Sequence, residues 1–207
     1  KALIKIMDSQ IEKSLKRIIM KTYIRVIFLK HHDAINKVAN IGKYKVKFCS
    51  YGDFAHLFNK LFINNDYLFV TKNPRPFIVD CGSNIGISIL YFKMLFPGSE
   101  ILAFEPSEEA FLCLEATIKN NNLNSVVANN LALSNKEGKI NFFYDPDNLG
   151  SLQMSTKKDR MPKQSRTVQA VVLSKYIGKN VDLLKMDVEG VEMEIIEELC
   201  KQGKMIF

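Results

Sequence analysis

The residues best suited to chemistry in this chain are Asp80-Cys81-Gly82-Ser83-Asn84-Ile85-Gly86 and, twenty-five residues beyond Asp80, Glu105. The apolar run 77–79 leads into the first group, and a second run, 101–104, ends at Glu105. Buried strand, glycine turn, helix start and a later acidic residue at the end of a second strand together predict a nucleotide-cofactor site. The turn lets backbone N–H groups approach a ligand, and the helix N-terminus favours negative charge. The later acid accepts hydrogen bonds from the two hydroxyls of a ribose.

A nicotinamide or flavin fingerprint requires Gly-x-Gly-x-x-Gly, and this chain has Asn84 and Ile87 at two of its three glycine positions. No Gly-Lys-Ser/Thr phosphate loop exists either. Asp-x-Gly-x-Asn-x-Gly instead resembles the first motif of S-adenosylmethionine (SAM) methyltransferases. SAM carries no phosphate. Its zwitterionic methionine end needs a carboxylate near the ammonium and N–H donors near the carboxylate. Asp80 and the following helix N-terminus are expected to supply these.

The 207 residues carry 29 Lys/Arg against 22 Asp/Glu, a net charge of +7. Residues 1–47 hold twelve of the basic residues and three acidic ones, so the remainder is slightly acidic. A catalytic half without a basic surface argues against a nucleic-acid substrate. Cys49, Cys81, Cys113 and Cys200 are scattered singly, which suggests neither a disulfide framework nor a metal site. No apolar run reaches the length of a membrane span, and the lysine-rich start does not read as a secretory leader. The expected location is cytoplasmic, with peripheral contact at the inner face of the membrane as an option.

Residues 3–19 space their apolar side chains as an amphipathic helix with lysines opposite. Two readings stand: packing on the main domain or on a second copy of the chain as a homodimer, or membrane-surface contact through residues 1–30. A strand is expected at 43–49 and a helix at 54–62. The prolines at 74 and 76 mark a break. They divide a basic extension, 1–72, from a cofactor domain, 73–207. Strands at 77–81, 100–104 and about 126–133 then alternate with helices at 85–96 and 107–121, followed by strands at 139–144, 167–173 and 182–186 and a helix at 193–200. The order predicts an α/β fold, a Rossmann-like, mostly parallel sheet with helices on both faces. A further strand begins at 204–207.

The ordered blocks Gly52-Asp53 with Phe58, Phe62 and Tyr67, then 79–86, then Phe104-Glu105-Pro106, then 130–134, and above all Lys185-Met186-Asp187-Val188-Glu189-Gly190 resemble FkbM-type SAM-dependent methyltransferases over roughly residues 50–207. The family usually continues into further strands, so the sheet is expected to be incomplete at its C-terminal edge. The resemblance implies O-methylation of small-molecule, sugar or glycan-type acceptors with S-adenosyl-L-methionine as cofactor; no metal-ligating residues are expected. Cofactor contacts are expected from Asp80, Gly82, Ser83, Asn84, Gly86, Glu105, Pro106, Asn130, Leu131 and Ala132. Asp187 is the expected base for the acceptor hydroxyl, with Glu189 orienting substrate and His31, His32 and His56 as substitutes. Lys185 either pairs with Asp187 or is solvated. Two alternatives remain: an RNA 2′-O-methyltransferase, and a non-catalytic SAM-binding scaffold docked through the basic N-terminal helix.

Overall fold

The computed structural model describes Lys21 and residues 37–144, 164–188 and 190–204. The expected N-terminal helix, His31, His32, Glu189 and the strand at 204–207 lie wholly or mostly outside these residues.

A parallel sheet of four strands organises the molecule. Strand β3 (Phe77–Cys81) lies between β4 (Glu100–Phe104) and β9 (Leu183–Met186), and β5 (Val126–Asn129) extends the far side of β4. All three pairings are parallel. The order β5-β4-β3-β9 is the three-two-one-four arrangement of a Rossmann-like half-sheet. Strands buried on both faces read as continuous apolar runs, which is why β3 and β4 lack polar alternation.

Side chains nonetheless alternate between two cores. Ile78, Ile101 and Ala103 join the cluster formed with helices α1 (Tyr51–Phe58), α2 (Ile87–Leu95) and α3 (Glu108–Asn120). Val79, Cys81, Leu102 and Phe104 face the opposite cluster, with Leu133, Leu173 and helix α4 (Glu192–Lys201). Ser107 caps α3 by accepting from Ala110 N–H, with Glu108 and Glu109 in the first turn.

Three expectations change. The third strand is not continuous: β5 ends at Asn129, and β6 (Ala132–Leu133) belongs to a second sheet with β7 (Gly138–Tyr144) and β8 (Gln164–Val171), ordered β6-β8-β7. The helix expected at 54–62 starts earlier and changes pitch, since α1 is followed by a π-helical turn at Asn59–Ile63. The break at residue 73 separates no core. A hairpin of β1 (Val38–Ile41) and β2 (Tyr44–Lys47), together with α1 and the π-turn, contributes Ile41, Phe54, Phe58 and Leu61 to the cluster that contains Ile78 and Leu90.

The cluster shared across residue 73 has a measurable consequence. Phe54 is fully buried between Phe48 and Phe58. Phe54→Ala is expected to cost about 3–5 kcal/mol, and in urea the chain should still unfold in a single transition. A first transition confined to the segment before residue 73, with the rest unaffected, would re-establish that segment as a separate domain.

Candidate active site

A pocket opens along the carboxyl ends of β3, β4 and β9 and the β5–β6 break. Gly82, Ser83, Asn84, Glu105, Pro106, Leu131 and Ala132 line it, with Lys185 and Asp187 at the exit of β9. Leu57, Leu61 and Tyr67 close one side and Phe142 of β7 another. The strand ends of a parallel sheet converge here because each crossover returns the chain to the same edge. Among the described residues no group of three or more His, Cys, Asp and Glu side chains is arranged to hold a metal.

Glu105 is the most constrained acid. It is 6% exposed, yet borders the pocket. Oε2 accepts from Asn84 N–H at 2.8 Å and Oε1 from Ser107 N–H at 2.8 Å. Burial pushes its carboxyl up to about 7, against the pull of those two N–H groups. A carboxylate offers roughly four acceptor positions, and these bonds use one on each oxygen.

Asp80 does not line the pocket. Its carboxylate is fully buried, accepts from Ser88 Oγ at 2.5 Å through Oδ2, and forms an ion pair with Lys185 Nζ at 2.9 Å through Oδ1, outside hydrogen-bonding angles. The register of β3 against β9 sets the two residues opposite one another. The same ammonium donates to the carbonyls of Gly82 and Cys81. Burial is the largest influence on Lys185 and opposes its charge, but Asp80, Tyr67 and Asp187 together outweigh it and hold the ammonium above its ordinary pKa. Lys185 is therefore neither solvated nor bonded to Asp187, as the sequence reading allowed. It fills the place beside Asp80 expected for a ligand ammonium.

Asp187 has other partners. Its Oδ2 accepts from Lys60 Nζ at 3.0 Å and from the Tyr67 hydroxyl at 2.9 Å. Lys60 comes from the π-turn, and its ammonium and that of Lys185 lie 5.1 and 5.5 Å from the Tyr67 ring centroid. Burial raises the Asp187 pKa, but Lys185, Lys60 and Tyr67 together hold the carboxyl below its ordinary range. Lys60 and Ser88 carried no signal in the sequence; their contacts span 127 and 8 residues. His56, the substitute base, is exposed on α1 and does not line the pocket.

The glycine loop is committed to the protein itself. Gly82 and Ser83 N–H both donate to the Phe104 carbonyl, Asn84 N–H to Glu105, Ile85 N–H to the Asn84 side chain and Gly86 N–H to the Ser83 carbonyl. The expected loop N–H donors are thus already used. Gly86 packs on α3, where a Cβ would come within 2.7 Å of Leu114 Cδ1. Asn84 adopts φ 47° and does not cap α2, whose N-cap is Gly86. Asn130, expected beneath an adenine, is not part of the pocket lining; its amide donates to the Glu105 carbonyl at 2.8 Å.

At Gly82, φ is 82°, and a Cβ would lie 2.0 Å from the Asp187 carbonyl oxygen. Gly82→Ala should therefore lose about 2–6 kcal/mol from strain and overpacking. Gly178, with open space at its Cβ, should tolerate alanine within about 0.5 kcal/mol. Equal urea midpoints for the two variants would contradict the contact.

The geometry can be set beside known proteins. A model of the methyltransferase FkbM domain matches residues 80–207. Methyltransferase 1 of Beauveria bassiana (strain ARSEF 2860) is 31% identical over 168 residues, covering 71% of this chain and 67% of that protein. Methyltransferase sdnD of Sordaria araneosa is 30% identical over 173 residues, covering 68% and 67%. The crystal structure of methyltransferase FkbM from Methylobacillus flagellatus KT aligns with 69% of this chain at 15% identity and a TM-score of 0.49, and this chain spans 33% of that one. The family match extends over more than half of the sequence, so the chain belongs to the FkbM methyltransferase family.

Proposed function

We propose that this chain is a SAM-dependent O-methyltransferase for a hydroxyl of a small-molecule or sugar-type acceptor. The observation that carries the reading is Glu105. A buried carboxylate at a strand end, fixed by two backbone N–H groups and bordering the pocket, has acceptor capacity left for a ribose diol. Leu131, Ala132 and Phe142 offer an apolar wall for a base. The methionine end fits less directly. Asp80 is paired with Lys185, and the loop N–H groups are bonded within the protein. The commitment of Lys185 to Asp80 also weighs against the RNA-type alternative, in which a free lysine would serve the reaction.

When bound, the cofactor supplies an electrophilic methyl group. The residues of the chain then have two tasks, alignment and proton removal. Asp187 suits the second in a particular way. A carboxylate with a lowered pKa is a weak base, but a hydroxyl proton becomes strongly acidic as its oxygen gives up an electron pair. A weak base already hydrogen-bonded to that hydroxyl suffices. Lys60 and Tyr67 hold Oδ2 and so fix the direction of Oδ1.

Two measurements test these roles. In S-adenosylhomocysteine binding, ribose hydroxyls are donors and require the ionised Glu105. Its carboxyl is half-protonated near 7 in the free chain. Affinity should thus rise with pH, by about tenfold per unit at most, below that value and level off above it. Glu105→Gln should flatten the profile and weaken binding at high pH by about 2–4 kcal/mol. A wild-type affinity that does not change between about pH 5.5 and about pH 8 would remove Glu105 from the ribose.

For Asp187→Asn, cofactor affinity should stay near normal while turnover with an accepted hydroxyl substrate falls by about 10²–10⁴-fold. Because its pKa is lowered, the wild-type acid limb should lie below the ordinary carboxylate range. Tyr67→Phe, which removes one donor to Oδ2, should move that limb to higher pH. Wild-type turnover in the Asn variant would leave Asp187 a purely structural residue.

A further inference from the structure

Two of the four cysteines, scattered in sequence, meet in space. Cys49 follows β2 and precedes the α1 cap Ser50; Cys113 lies in α3, 64 residues later. Their Sγ atoms are 3.1 Å apart. A disulfide has its sulfurs about 2.05 Å apart, so the two would have to close by about 1 Å. Cys49 Sγ also donates to the Glu109 carbonyl at 3.2 Å.

The approach is built into the framework. Cys113 and Thr117 of α3 and its C-cap Asn121 follow one another at four-residue spacing, and they contact Cys49, Lys47 and Lys45 in β2 and just after it. Lys47 N–H donates to Thr117 Oγ1, and Asn121 both accepts from Lys45 N–H and donates to the Lys45 carbonyl at 2.7 Å. These bonds hold the strand end against the helix at the level of both thiols.

We propose that Cys49 and Cys113 form a redox-modifiable thiol pair that a small-molecule disulfide, such as oxidised glutathione, converts to an intrachain disulfide. Cys49, half-exposed, is the attacking thiol, and Cys113, at 6% exposure, is the resolving one. The hydrogen bond from Cys113 outweighs burial at Cys49 and lowers its pKa, while the same bond and burial raise that of Cys113. Cys49 Sγ attacks one sulfur of the small disulfide; the other sulfur leaves as thiolate and takes up the Cys49 proton. Cys113 Sγ then attacks Cys49 Sγ, and the second small thiolate leaves with the Cys113 proton. Two protein thiols are oxidised and one small disulfide is reduced to two thiols.

The bond would join the segment entering α1, which carries Leu57 into the pocket, to the helix whose cap, Ser107, holds Glu105. The site is independent of which acceptor is methylated.

The test uses the chain carrying Cys200→Ser, which removes the exposed thiol, incubated with glutathione redox buffers. Mass spectrometry should find the loss of two hydrogen masses, a non-reduced peptide joining residues 49 and 113, and Cys81 as the remaining free thiol. The oxidised chain should unfold at higher urea than the reduced one. Cys113→Ser in the same background should stop at a glutathione adduct on Cys49, with circular dichroism reporting an intact fold. Accumulation of that adduct when Cys113 is present, or no reaction in buffers that oxidise ordinary dithiols, would overturn the proposal.

Discussion

An ammonium and a carboxylate meet inside the sheet where it opens onto the pocket, and the arrangement around them depends on that meeting. Asp80 and Lys185 stand opposite each other on adjacent parallel strands, both almost without exposure. Taking two charges from water costs several kcal/mol each, and good geometry with further hydrogen bonds must offset it. The structure provides the further hydrogen bonds: Ser88 on the carboxylate, and the Cys81 and Gly82 carbonyls on the ammonium. Losing one partner alone would strand the other charge in a dry interior. A one-residue slip of β9 on β3 would separate the pair, so its burial disfavours any register but the one that sets Asp187 at the pocket.

From that point the pocket is assembled by segments that arrive from far away in sequence. The π-turn brings Lys60 to Asp187, and Tyr67 reaches the same oxygen. A π-helical turn, with its i→i+5 bonding, rotates the side chains that follow it relative to a continuous α-helix. The opposite wall comes from the second sheet, where Phe142 faces inward and Arg166 grips Glu109 with two hydrogen bonds while lying over Tyr144. That guanidinium holds the Glu109 carboxyl at about 2. Two acids at the entrance to α3, Glu105 and Glu109, are thus driven in opposite directions by burial and by an arginine.

Much of the framework was legible in the sequence because it rests on local signals. Apolar runs, the Ser107 cap and the alternation of strands and helices found the four-stranded sheet nearly residue by residue. The acids at its strand ends followed from the same periodicity. What stayed hidden depends on contacts between distant segments. Nothing near Asp80 in the sequence announces that its partner is Lys185, 105 positions on. Nothing near Cys49 announces Cys113. Residues 126–133 read as a single strand because both halves are β-like; the transfer between sheets happens at Asn130, whose amide is drawn to the Glu105 carbonyl. The glycines were recognised for their backbone freedom, but their contacts with the Asp187 carbonyl and with Leu114 were not, since periodicity reports a turn and not what crosses it.

The contact at Gly82 ties two parts of the site into one mechanism of transmission. The loop after β3 rests directly on the Asp187 carbonyl, with no room for even a methyl group between them. An atom that presses on that loop from the pocket side has no slack to take up before the backbone of β9 responds. A displacement of the Gly82 loop would therefore pass straight to the backbone that carries Asp187, with no gap between them to absorb it.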